Sequence, residues 1–216
     1  MKQLTLLAHL LLTAGLAYSQ APTVQILTSL SSELEETSGL LNLDGHIFTH
    51  NDSGSDAKLY ELDTITGSVL RTIVVANAVN TDWEDLAADD NYVYIGDIGN
   101  NAGDRTDLKV LRVSRASLLA NDTISADSIL YDYSDQTDFT PATFANDYDA
   151  EALMVLGDSL AIFSKNWVNQ KTRWYTLPKT PGTYTAQLRD SLDVGGLITA
   201  ADINPTSGRI AFSATR

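Results

Sequence analysis

Apolar residues in this chain fall in short runs, and within most runs they alternate with polar ones. KLYELD (58–63), SVLRTIVV (68–75), LKVLRVS (108–114), SILYDYS (128–134), RWYTLP (173–178) and YTAQLRD (184–190) all read this way. Alternation of period two is the mark of a strand with one face buried, and β-branched and aromatic residues dominate these runs. Turn chemistry separates them. Gly67 closes the loop between the first pair, and a Pro-Gly step, Pro181 and Gly182, closes the loop between the last. A helical period is scarce, and Arg115 to Ala120 is the one short helix expected. The pattern predicts an all-β chain.

The runs are organised as a repeat. Asp82 to Gly103 opens with an acidic lead-in (Asp82, Glu84, Asp85), continues through an apolar strand (92–95) and ends in a turn rich in Asp, Gly and Asn. The outline recurs from Glu36, from Asp149 and from Thr199. Leu40, Leu86, Leu153 and Ile203 are then equivalent, spaced by 46, 67 and 50 residues, and are expected to be buried on innermost strands. The longest spacing is assigned to an added loop between Asn121 and Asn146. A unit of roughly 40–50 residues with several short antiparallel strands fits a propeller blade. A β-sandwich would place turns at similar intervals but gives no reason for a recurring acidic lead-in. The expectation is a β-propeller-like array of about four blade repeats over residues 20–216, with repeats starting near 36, 82, 149 and 199. The last repeat stops after RIAFSATR, so the array is expected to be part of a longer propeller. VQILTSL (24–30) would supply an outer strand to a blade lying beyond it.

Composition narrows the function. With 44% hydrophobic residues the chain can build a core, and without cysteine it has no disulfide, thiolate nucleophile or cysteine-ligated zinc. A net charge of −14 and the lack of a basic cluster exclude nucleic acid and suit a cationic partner or calcium. Residues 1–19 have the form of a signal peptide: Lys2, an apolar run, and a small-x-small site at Ala17 to Ser19, with cleavage before Gln20. No later run approaches the length of a membrane span. The mature protein is therefore expected to be secreted.

The motifs ETSGL, THNDSG, NTDWEDLA, VYIGDIGNN and LKVLRV, in that order, resemble secreted bacterial β-propeller proteins of the broad group that includes NHL-like, strictosidine-synthase-like and phytase-esterase-like propellers. The resemblance covers about residues 30–165 well and the rest loosely. It implies that the first strand of each blade lines a central channel, which would bring the acidic lead-ins near the axis. Carboxylates that converge repel one another unless a cation sits among them, and calcium takes oxygen ligands. Glu36, Asp82, Glu84, Asp149 and Glu151 are the expected metal ligands, with Asp52, Asp97, Asn100 and Asn101 as a second rank.

Other candidates carry less chemistry. Gly157 to Leu160 spells the GDSL block of a hydrolase family, but no histidine follows position 50 to activate its serine. The block reads as a tight turn. His46 and His50 share a strand face at roughly 13 Å, too far to hold one ion; His50, beside Asn51 and Asp52, is the candidate general base. Trp167 and Trp174 could stack on a ligand, while Trp83 is expected to be packing. Arg105 and Lys165 are the cations available to a substrate. Two functions follow: a non-catalytic propeller that binds an extracellular ligand or protein and is stabilised by Ca2+, or a calcium-dependent hydrolase of the phosphoesterase or lactonase kind.

Overall fold

A computed structural model of the protein describes residue 26 and residues 28–215. The leader and its cleavage site lie outside the described residues; of the proposed 24–30 strand, residues 26 and 28–30 are described and form no strand. After a 3-10 turn at Ser32–Leu34 the chain forms four consecutive antiparallel units. The first comprises β1 (Thr37–Leu43), β2 (His46–Asn51), β3 (Lys58–Leu62) and β4 (Val69–Val75). The second comprises β5 (Trp83–Ala88), β6 (Tyr92–Asp97) and β7 (Lys109–Ser114), then α1 (Arg115–Ala120), β8 (Thr123–Ile124) and β9 (Ala126–Tyr133). The third comprises β10 (Ala150–Leu156), β11 (Ser159–Ser164), β12 (Lys171–Pro178) and β13 (Gly182–Asp193), and the fourth β14 (Leu197–Ile203) and β15 (Ile210–Thr215). The protein is all-β and propeller-like, and its fourth unit has two strands among the described residues. Among the described residues no helix is long and apolar enough to cross a membrane.

The first strands of the units, β1, β5, β10 and β14, pack side by side in chain order. Each carries a β-bulge at the same place. Ser38 and Gly39 together oppose His50, Glu84 lies in the break between Trp83 and Asp85, Glu151 between Ala150 and Ala152, and Thr199 between Ile198 and Ala200. A bulge sets two residues against one and re-aims a side chain. Here it turns Ser38, Glu84, Glu151 and Thr199 toward the space between the inner strands, and it ties neighbours together. Ser38 Oγ donates to the Glu84 carbonyl at 2.8 Å, and the Leu153 N–H donates to Asp85 Oδ2 at 2.8 Å.

The register corrects the expected repeat. Leu40, Leu86 and Leu153 follow their bulges equivalently, pairing with Thr49, Ile95 and Ile162, but the fourth equivalent is Ala201, paired with Phe212, rather than Ile203. The bulge in β14 begins two residues earlier than the leucine spacing suggests. Burial is also unequal. Leu86 and Leu153 are buried, whereas Leu40 is 65% exposed and Ile203 half-buried. Leu86 and Leu153 each belong to an apolar core, and Leu40 belongs to none.

Units two and three form one eight-stranded sheet, because the first part of β13 pairs in parallel with β9 from Gly182–Ile129 to Ala186–Tyr133. Between them lies the largest apolar core, with Tyr94, Ile129, Tyr133, Leu153, Ile162 and Tyr175. Units one and two enclose Phe48, Ile73, Trp83, Ile95 and Val113. A short parallel pairing of β8 with β4 carries the chain of unit two back onto unit one. Trp83 is fully buried and meets the His50 ring edge-on at 5.7 Å, which bears out its packing role. The GDSL block is the β10–β11 turn, with Gly157 at φ 58°.

The added length in the 67-residue spacing is a loop over 134–149, since β9 within the expected insertion is the outer strand of unit two. The loop is braced on the 100–103 turn. Gln136 Nε2 donates to the Gly103 carbonyl at 2.7 Å, and Asn146 Nδ2 to that of Asn101 at 2.9 Å. Gly103 must be glycine here: its φ is 74°, and a β-carbon would stand 2.8 Å from Asn146 Cγ.

Candidate metal centre in the axial cleft

Between the inner strands runs a cleft of about 1210 Å³. The four bulge residues Ser38, Glu84, Glu151 and Thr199 all line it, with Asp89, Arg115 and Lys179 toward the opposite end of the strands. The two ends differ in charge balance. Asp89 pairs with Lys179 at 2.9 Å, and Arg115 pairs with Asp44. Where the inner strands begin, acid is in excess.

That excess is focused on Asp52, Asp82 and Glu84. One oxygen from each lies within 4.8 Å of the others. Asp52 follows β2, Asp82 precedes β5, and Glu84 is the β5 bulge, so strand ends of two units supply the group. Gly99 makes the approach possible: a β-carbon there would collide with the carboxylates of both Asp82 and Glu84. The backbone of the DIGNN turn therefore lies against the two acids. Glu84 is only 6% exposed, and no hydrogen-bond donor or ion pair reaches its carboxylate among the described residues.

The electrostatics follow from burial and crowding. Burial, then Glu151, Asp52, Asp82 and Asp149, push Glu84 up to about 10. Burial and Asp52 raise Asp82 to about 6, against the pull of Arg105. Burial raises Glu151 to about 7, opposed by the bond to Lys165. Burial also raises Asp149, opposed by the N–H of Asn100 and the indole of Trp167. Without a cation Glu84 holds its proton at neutral pH, and a cation among these carboxylates would displace it.

The nine residues expected as ligands divide clearly. Asp82 and Glu84 join Asp52, from the second rank, in the focused group. Asp149 and Glu151 lie beside it, each already engaged: Asp149 accepts from the Asn100 N–H and from Trp167 Nε1, both at 2.8 Å, and Glu151 pairs with Lys165. Glu36 is exposed and stands apart, contributing only its carbonyl to the Asp52 N–H. Asp97 is fully buried between Arg105 at 2.8 Å and Lys109 at 2.9 Å. Asn100 spans Tyr148 and Arg105, and Asn101 lends its carbonyl to Asn146 and Phe144. His50 is buried against Trp83, away from the cleft lining. Its Nδ1–H donates to the Asn51 carbonyl at 3.0 Å, and burial lowers it to about 4, so the ring is neutral. Nε2 is buried without a partner, a poor position for a base that must reach a ligand.

Two features escaped the sequence. Asp52, Ile98 and Lys165 are structural equivalents, each following a second strand whose last residue pairs with the start of an inner strand. The repeat thus places an acid, an apolar residue and a base at one position. The second is the rim of Phe144 and Trp167, whose rings lie 4.9 Å apart; Phe144, at φ 53° in the braced loop, is 57% exposed. The long spacing before Leu153 was the available signal for that loop.

Strand order, register and cleft define a propeller-like all-β protein with an acidic axial centre. No protein-family model matches the sequence, and no curated protein does. Among solved structures the chain is similar to a Myxococcus xanthus glutaminyl cyclase, at 14% identity, covering 83% of this chain and 86% of that one with a TM-score of 0.34. It is also similar to the β-xylosidase RS223, at 9% identity, covering 80% of this chain and 62% of that one with a TM-score of 0.43. A third likeness is to the β-propeller domain of Cps50 (Swd1) from Myceliophteria thermophila, at 14% identity, covering 89% of this chain and 59% of that one with a TM-score of 0.35.

Proposed function

We propose that the chain is a secreted, non-catalytic propeller module of the group its motifs resemble, binding an extracellular ligand or protein and stabilised by Ca2+ held between Asp52, Asp82 and Glu84. The observation that carries this reading is the convergence of those three carboxylates within 4.8 Å around an unpartnered, buried Glu84. Calcium binds oxygen at about 2.3–2.6 Å, so opposed ligands stand up to about 5 Å apart, and water completes a shell of six to eight. The donor set has oxygen only, which suits calcium and disfavours softer metals. The leader sequence supports export to a calcium-containing exterior.

A second reading, a calcium-dependent hydrolase, draws on Glu84 and Glu151, whose proton affinities lie near 10 and 7 and so differ as an acid–base pair's do. The basic groups that would engage a phosphoester or lactone are spent: Arg105 pairs with Asp97 and Asp107, and Lys165 with Glu151. This favours binding over catalysis.

Calcium titration by calorimetry and thermal unfolding tests the reading. A cation that binds only the folded state adds about 2.7 kcal/mol when free calcium is about 100 times Kd. Asp82→Asn with Glu84→Gln should abolish both the heat of binding and the shift. No calcium binding by the wild type rejects the metal centre, and calcium-dependent turnover of p-nitrophenyl phosphate or γ-butyrolactone, lost in the same variant, would move the protein to the hydrolase class.

A further inference from the structure

Lys165 occupies the position that Asp52 occupies in unit one, the residue after the second strand. Asp52 joins the focused carboxylates; Lys165 sends its ammonium across to Glu151. The two side chains are 16% and 14% exposed, and the Lys165 Nζ also stands 4.9 Å from the centroid of the Trp167 ring. The ammonium is thus held by a carboxylate and an aromatic face in a half-dry setting, where both attractions are stronger than in water.

Glu151 holds on β10 the bulge position that Glu84 holds on the adjacent β5, and both side chains line the same cleft. Asp149 is already held by the Asn100 N–H and the Trp167 indole, whereas among the described residues Glu151 has Lys165 as its side-chain partner. Glu151 therefore stands next to the group of Asp52, Asp82 and Glu84 without belonging to it, and the bond to Lys165 holds it there.

Resting on the calcium reading above, we infer that Lys165 is a built-in counter-cation that withholds Glu151 from the metal centre and so sets its affinity for calcium. One ammonium neutralises the side of the cluster in unit three, and one divalent ion neutralises the side shared by units one and two. Removing the ammonium leaves Glu151 buried beside like charges, and the nearest source of compensation is the ion. Oxygen sites change affinity by decades with the number of charged ligands.

The experiment compares calcium Kd by calorimetry in the wild type, Lys165→Met, Lys165→Gln, Lys165→Arg and the double variant Lys165→Met/Glu151→Gln, with folding of each checked by circular dichroism in EDTA. Lys165→Met should lower Kd by about tenfold or more at unchanged stoichiometry. Lys165→Gln, which keeps a hydrogen-bond donor for Glu151 and guards against a misfolded methionine variant, should lower it in the same direction. Lys165→Arg and the double variant should return it to the wild-type value. Wild-type protein that binds no calcium defeats the calcium reading. A wild type that binds, with Lys165→Met and Lys165→Gln unchanged or weaker, overturns the role of Lys165 alone, as does a double variant that still binds tightly.

Discussion

Units three and four carry the same bulged inner strand, yet they place it in opposite settings. In unit three β10 lies between β5 and β14, its Leu153 is fully buried, and its bulge residue Glu151 is held in an ion pair. In unit four β14 has β15 as its only hydrogen-bonded partner among the described residues, and Ile198 is its one buried apolar side chain. The local backbone is the same device twice. The difference in chemistry comes from the walls around it: a second sheet face converts an ordinary carboxylate into one that resists ionisation, and an apolar side chain into a core residue. Position in a repeat sets where a side chain points; neighbouring units set what it costs to be there.

The strongest way to break that comparison is to truncate equivalent side chains in the two units. Leu153→Ala should destabilise by about 2–5 kcal/mol, the range for emptying a packed core position. Ile203→Ala, at a half-buried site, should cost less than about 1.5 kcal/mol. Leu40→Ala, at the equivalent of Leu153 in unit one but 65% exposed, should fall within about 0.5 kcal/mol of wild type. Denaturant midpoints on the three variants rank them directly. Equal losses would mean that the repeat position, not the neighbouring wall, determines stability.

A smaller effect concerns pH. Asp82 and Glu151, near 6 and 7 when folded, bind protons more tightly than in the unfolded chain, where carboxylates titrate near 4. Between about pH 4 and 7 the folded state therefore holds more protons, and stability falls as pH rises. Calcium should flatten this slope, since it takes the place of the protons. Thermal unfolding at pH 5, 6, 7 and 8 with and without calcium measures both. A metal-free protein whose melting temperature rises across that interval would show that the carboxylates are not crowded as described.

The contrast also explains what was legible in the sequence. Alternation and turn chemistry located the strands closely: LKVLRVS became β7, and the short helix at Arg115–Ala120 is where its residues put it. Aligning the leucines worked for three units, because Leu40, Leu86 and Leu153 each follow a bulge with the same offset. It failed in the fourth, because the equivalent position is the small Ala201 and the large apolar residue that invites alignment, Ile203, lies two residues further on. Counting back from Leu40 put Glu36 at the place Asp82 holds before Leu86, but the equivalent position is exposed in unit one, which the spacing does not reveal. Ion pairing was equally out of view. Arg105 and Lys165 look available in one dimension, and only the fold brings Asp97 and Glu151 to them. The parallel joint of β9 to β13, which welds units two and three, links residues more than fifty positions apart and leaves no local trace.

The finest test puts the missing acid into unit four. Thr199 holds the bulge place of Glu84 and Glu151, lines the same cleft, and is half-buried; its hydroxyl donates to Ser213 at 3.2 Å. Thr199→Glu gives unit four the same residue in the same backbone device without the second wall. If burial and crowding make the carboxylates of units two and three unusual, the new one should titrate near 4.3 like a solvated glutamate. Stability should change by no more than about 0.5 kcal/mol, and calcium Kd by less than about threefold, because a solvated carboxylate at that distance is screened. Carbon-detected titration of the labelled side chain gives its proton affinity, and calorimetry gives the Kd. A glutamate at 199 that titrates as high as Glu151 would show that the bulge alone confers the property, and the comparison between the units would have to be abandoned.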